Sequence, residues 1–175
     1  EPDQPYGLQC PAAALYQLNK KLLERVEKKN LPLFDIKKRK KLRNEMIQDL
    51  ELGNYDDAFP MKPQRILCDV RKFMNKDDIL LSDVGAHKMW VAREYNCIKP
   101  NTCLISNGFC TMGFALPGSI GAKMAFPERK IVSINGDAGF LMNVQELETA
   151  VRYNINIIVV VWLDGSYGLI KWKQE

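Results

Sequence analysis

The chain has 175 residues, enough for one domain with a sizeable core. Its hydrophobic content of 46% and charged content of 26% are those of an ordinary soluble protein, which argues against a disordered chain. A net charge of +4 is too small to argue for nucleic acid, and no apolar run approaches the ~18–20 residues that span a bilayer. Five cysteines without a CxxC, with His87 as the single histidine, offer little material for zinc. Reduced thiols and a cytoplasmic location are the expectation, with an organelle left open. The chain starts at Glu1 without Met, so it is expected to be a piece of a longer protein.

In chain order, residues 1–11 carry three prolines and read as an irregular lead-in. Ala12 to Lys29 reads as a helix with Ala14, Leu15, Leu18, Leu22 and Val26 as its apolar stripe. Asn30-Leu31-Pro32 interrupts it. A second helix is predicted from Phe34 to Leu52. Its basic run Lys37-Lys38-Arg39-Lys40-Lys41 fits a solvated face or a subunit contact better than nucleic acid, because no aromatic residue interleaves for base stacking. Gly53 to Pro63 reads as a linker. The division expected is a helical connecting segment over 1–60 and a compact domain over 61–175.

From Lys62 the pattern is regular. Ile66, Leu67, Val70, Phe73 and Met74 keep helical spacing, and Ile79-Leu80-Leu81 follows as a strand. Ala86 to Tyr95 is predicted helical after the Asp83-Val84-Gly85 turn. Cys103 to Ser106 is the next strand, Asn107 to Gly113 a glycine-containing loop, and a helix runs on to Phe126. Strands alternating with helices predict an α/β fold, a parallel sheet flanked by helices, with a helical N-terminal extension.

The most informative stretch is Ile131 to Ile170. A strand, Ile131 to Ile134, meets the tight turn Asn135-Gly136-Asp137-Ala138-Gly139. A helix over Asn143 to Tyr153 and a strand over Ile155 to Leu163 follow, then the turn Asp164 to Gly168. This is a βαβ unit, so the carboxyl ends of its two parallel strands lie side by side, where open α/β sheets bind ligands. Each end carries an aspartate, Asp137 and Asp164, 27 positions apart. Asp137 alone reads as a helix N-cap. Paired with Asp164 beside glycine-rich backbone, it suits a hydrated Mg²⁺ holding a diphosphate.

Gly136-Asp137-Ala138 and the turn at Asp164 resemble the metal-diphosphate motif of thiamine-diphosphate enzymes. Ser82-Asp83-Val84-Gly85-Ala86-His87-Lys88-Met89-Trp90 and Ile105 to Pro117 are similar to acetolactate (acetohydroxyacid) synthases in particular. The resemblance covers Lys62 to Glu175, with Asp164 standing where many relatives have Asn. It implies that Asp137 and Asp164 ligate Mg²⁺ through their side chains and Ser166 through its backbone oxygen. Gly136, Ala138 and Gly139 would lie beside the diphosphate. Val84, Gly85, Ala86 and His87 would face it from the far side, His87 as a donor and not a general base. Backbone groups of Cys110 and Met112 would bond the aminopyrimidine edge, and the Met112 side chain would wedge between the cofactor's rings.

No catalytic residue is expected within this chain. The activating glutamate of the family sits in a separate pyrimidine-binding domain, usually of another subunit in a homodimer or homotetramer, and Glu146 and Glu148 do not match it. The resemblance implies decarboxylation of pyruvate and condensation with a second 2-oxo acid, with FAD dependence left open. Trp172 falls one place before the tryptophan that marks a preference for 2-oxobutyrate, so pyruvate is the expected acceptor. Another thiamine-diphosphate enzyme (a pyruvate oxidase, a 2-oxo acid decarboxylase or glyoxylate carboligase) and a non-catalytic cofactor- or partner-binding module remain the alternatives.

Overall fold

The computed structural model describes residues 11–27, 36–52 and 56–175. Residues 1–10 of the expected lead-in, the break at Asn30-Leu31-Pro32 and residues 53–55 of the expected linker lie outside them, and Pro11, expected in the lead-in, opens the first helix. The chain divides into two compact units, Glu1–Asn44 and Glu45–Glu175. That division falls inside the second helix, ahead of the boundary expected near Pro60. Helix α1 spans Pro11–Glu27 and α2 spans Ile36–Leu52. In α1, Leu18 and Leu22 of the expected stripe are exposed. The basic run of α2 is exposed throughout.

The sheet lies in the second unit. Its elements are α3 (Pro63–Phe73), β1 (Ile79–Ser82), α4 (Ala86–Glu94), β2 (Cys103–Ile105), α5 (Ala115–Ala125), β3 (Ile131–Gly136), α6 (Asp137–Met142), α7 (Glu146–Arg152), β4 (Ile158–Trp162) and α8 (Gly168–Gln174). All four strands are parallel, in the order β2-β1-β3-β4. The predicted α/β sheet is therefore present.

The side chains of β1 and β3 alternate between two apolar layers, as strand geometry requires. Leu80, Val132 and Ile134 pack with Leu67, Met74, Val91 and Tyr95 of the α3–α4 side. Ile79, Leu81 and Ile131 pack with Ala115 of α5. Helices thus cover both faces, which is why β1 and most of β3 are buried at consecutive positions. Pro63 starts α3 at the position where its missing N–H costs nothing.

This strand order has one switch point. From β1 the chain goes outward to β2 on one side and returns to β3 on the other. The carboxyl ends of β1 and β3 therefore open a crevice of the kind in which such sheets bind ligands. Asp83 follows the first strand and Asp137 the second.

Two boundaries differ from expectation. The turn predicted over Asn135 to Gly139 is the end of β3 and the start of α6, and the helix predicted over Asn143 to Tyr153 begins only at Glu146, because Asn143 leaves helical geometry (φ −133°) between α6 and α7. Its side chain donates to the Gly113 carbonyl at 2.6 Å instead. The last strand begins at Ile158, not Ile155, because α7 ends in a Schellman motif. Asn154 takes the left-handed position (φ 52°), Ile155 N–H donates to the Ala150 carbonyl at 2.8 Å, and Asn154 N–H donates to Val151 at 3.1 Å. Ile155 is thus spent on the helix end.

Candidate functional site

Three turns meet at the carboxyl edge of the sheet, after β1, β3 and β4. Register brings the last two together, since Gly136 pairs with Trp162. Asp137 opens α6, where a carboxylate is favoured by the helix dipole. One of its oxygens accepts the Ala138 N–H at 2.7 Å, and the other accepts the Gly165 N–H of the β4 turn at 3.1 Å. Asp164 accepts the Ser166 N–H at 3.0 Å. Both aspartates therefore bond consecutive amides of one turn. Gly165 sits at φ +63°, which suits glycine. The third turn closes against this pair, because a Cβ on Gly168 would stand 3.0 Å from the Ala86 Cβ and 3.1 Å from an Asp164 carboxylate oxygen.

Between these turns lies His87, buried at the start of α4. A Cβ on Gly85 would meet its ring at 2.8 Å, and one on Gly136 would meet Nδ1 at 3.2 Å. The two glycines are what let the imidazole enter. Its ring stands edge-on to Trp162, with centroids 6.3 Å apart. Burial lowers its pKa below 6.5, opposed by Asp83, Asp164 and Asp137, so the ring is neutral at pH 7. Its Nε2 is buried without a partner. A neutral imidazole carries one N–H, so Nε2 donates or accepts according to the tautomer. Among the described residues, Trp162 Nε1 and Asn135 Oδ1 are also buried and unpaired. Buried polar atoms without partners are costly, and here they gather around the end of β3 and β4.

The loop before α5 forms the other wall. Cys110 takes a left-handed conformation (φ 50°), as do Gly108 and Gly113. The Lys88 ammonium donates to the Ser106 carbonyl at 2.8 Å and lies 3.2 Å from Cys110 Sγ. Met112 is half-buried, and Phe109 of the same loop is exposed.

Asp83 is the residue that sequence reasoning passed over. Its buried carboxylate accepts three backbone N–H groups: Val84 at 2.7 Å, Gly113 at 3.0 Å and Phe114 at 3.2 Å. The available signal was an acidic residue directly after a buried strand. Of the residues singled out from sequence, Val84 to His87, Gly136 to Gly139, Asp164 and Ser166 fall on the three adjoining turns. Cys110 and Met112 fall on the loop that Asp83 ties to them. Glu148 pairs with Arg152 and Glu146 accepts from Thr149, both within α7. Among the described residues no three of His, Cys, Asp and Glu converge, and no helix is long and apolar enough to cross a membrane. Cys68, Cys97, Cys103 and Cys110 are free thiols.

Residues 83–175 match the family model of the thiamine pyrophosphate enzyme C-terminal TPP binding domain. The chain belongs to that family. It is 40% identical over 119 residues to a catabolic acetolactate synthase of Raoultella terrigena, a match covering 68% of this chain and 21% of the relative. It is 35% identical over 165 residues to a probable acetolactate synthase large subunit of Methanococcus aeolicus, covering 91% of this chain and 27% of the relative. An acetolactate synthase of Bacillus subtilis (strain 168) is 39% identical over 112 residues, 64% of this chain and 20% of the relative. The match thus spans between a fifth and just over a quarter of these relatives' length. This is a TPP-binding domain of the acetolactate-synthase-like kind, and the three turns and the loop all fall in the matched segment or border it.

Proposed function

We propose that the crevice between β1 and β3 holds the diphosphate of thiamine diphosphate through Mg²⁺, within an enzyme that joins two 2-oxo acids. The observation that carries this is the pair Asp137 and Asp164 on adjoining turns, bonded to consecutive amides of the β4 turn. Two carboxylates repel a diphosphate, and a divalent cation between them reverses the sign. The residues present fit the group. The His87 ring and the Asp83 carboxylate occupy the space that Cβ atoms on Gly136 and Gly139 would fill, and the unpaired His87 Nε2, in its N–H tautomer, would donate to the anion. Asp137, Asp164 and the Ser166 carbonyl would hold the metal, and Cys110 and Met112 would meet the pyrimidine and thiazolium.

When bound, the cofactor supplies the nucleophilic carbon for 2-oxo acid decarboxylation. This chain's own residues bind and orient: α6 presents its N-terminus to the anion, and Met112 supplies an apolar surface beside the loop. The acid–base partner would come from a pyrimidine-binding domain, and pyruvate would be both donor and acceptor. The same reading would place the domain in a homodimer or homotetramer, in the cytoplasm or an organelle. The 175-residue chain by itself should therefore bind cofactor without turning it over. Equilibrium dialysis of thiamine diphosphate with and without Mg²⁺ tests this. Metal-dependent binding is expected, together with pyruvate consumption far below an enzyme-like ~1 s⁻¹. Binding that ignores the metal would refute the proposal.

A further inference from the structure

We infer that Asp83 is a positioning residue, which fixes the loop meeting the cofactor's rings at a set distance from the helix meeting its diphosphate. This rests on the cofactor reading above and deepens it. The carboxylate is buried, and its partners are backbone amides on two separate segments. Gly113 and Phe114 are the residues immediately before α5, so the negative charge also faces that helix's first peptides. On the other side stands α6. A Cβ on Gly139 would lie 2.6 Å from Oδ2, the same oxygen that accepts the Gly113 N–H. One oxygen is thus wedged between the ring-side loop and the diphosphate-side helix.

Gly113 is held from both ends. Its N–H donates to Asp83, and its carbonyl accepts from Asn143 Nδ2 at 2.6 Å, at the far end of α6. Its φ of +80° and the 2.5 Å that would separate a Cβ from Asn143 Nδ2 leave glycine as the fitting residue. Only a carboxylate serves this arrangement. It accepts with both oxygens, whereas an asparagine would turn an amide donor toward an N–H donor on one side.

The test compares the wild type with Asp83→Asn and Asn143→Ala on three readouts. Amide hydrogen exchange reports Gly113 and Phe114 without any ligand. Calorimetry reports affinity for magnesium pyrophosphate and for thiamine diphosphate with Mg²⁺. In Asp83→Asn, exchange at Gly113 or Phe114 should rise at least tenfold. Thiamine diphosphate affinity should fall tenfold or more, with magnesium pyrophosphate affinity within twofold of wild type. Asn143→Ala should show the same split to a smaller degree, and it keeps the question answerable if Asp83→Asn does not fold. Unchanged exchange overturns the clamp by itself. Equal losses for both ligands overturn the positioning role in favour of a merely structural one. A wild-type chain that binds neither ligand overturns the cofactor reading, and the positioning role with it.

Discussion

Replacing Gly139 by Ala sets two effects against each other at one atom. In an exposed helix Ala would be favoured over Gly by about 1 kcal/mol. Here the new methyl would stand 2.6 Å from the Asp83 carboxylate and 3.2 Å from its carbon. That carboxylate cannot swing away without breaking three backbone bonds. Overpacking of a tight interior typically costs about 1–3 kcal/mol, and each lost bond to a buried carboxylate adds to it. The clash wins, and Gly139→Ala should lose about 1–2 kcal/mol net, or roughly 2–8 °C in Tm for a chain of this size. Gly121→Ala is the control. It lies in α5 with nothing within 4 Å of where a Cβ would stand, so it should gain about 0.5–1 kcal/mol. Trp90, Trp162 and Trp172 all lie in the second unit, so urea unfolding followed by tryptophan fluorescence reports the right part of the chain. A Gly139→Ala protein as stable as Gly121→Ala would refute the close packing of α6 on Asp83.

Other perturbations act through different atoms. His87 has its pKa lowered by burial, so the unfolded chain binds the proton more tightly than the folded one. Stability is then full above the ordinary value of 6.5 and falls as pH drops below it, toward the lowered folded pKa. Urea midpoints between pH 8 and 5 should show this fall, and His87→Gln should flatten it; an unaltered slope in the variant would mean another group is responsible. Asn154 closes α7 in left-handed geometry, so Asn154→Val should cost about 1–3 kcal/mol while Asn154→Gly is nearly neutral. Equal midpoints for the two would contradict the Schellman reading. Magnesium removal by chelation should release thiamine diphosphate from the chain without unfolding it, seen as cofactor loss on a desalting column with unchanged far-ultraviolet circular dichroism.

The parallel sheet could be read from sequence because it depends on local patterning. Apolar runs at Ile79, Ile131 and Ile158 alternate with helical spacing, and each carboxyl end is marked by Asp or Gly. The pair Asp137 and Asp164 was visible because a βαβ unit fixes where its strand ends go. Asp83 and Asn143 were not, since their work is done across 30 residues in each case, on Gly113. Nothing in periodicity announces a carboxylate that accepts amides from a distant loop. The start of β4 was misplaced for a related reason. Ile155 and Ile157 look like strand residues, but the backbone of Ile155 is committed to the end of α7. His87 was singled out as a lone histidine at a turn. Only the fold reveals that its ring lies against two glycines with Nε2 buried and unpaired.

The most direct measurement is calorimetric titration of thiamine diphosphate, with and without Mg²⁺, into the wild type, Asp137→Ala, Asp164→Asn and Asp164→Ala. Asp137 bonds both its own helix and the β4 turn, so its loss removes a metal ligand and the tie between the two turns. Metal-dependent affinity should nearly vanish in Asp137→Ala. It should be largely kept in Asp164→Asn, which retains an oxygen ligand, and should fall in Asp164→Ala. If both aspartates were only caps and turn residues, the alanine variants would lose about 0.5–2 kcal/mol of stability and bind the cofactor as wild type does. Full affinity in a folded Asp137→Ala protein, or binding by the wild type that does not need the metal, would contradict the assignment of this crevice.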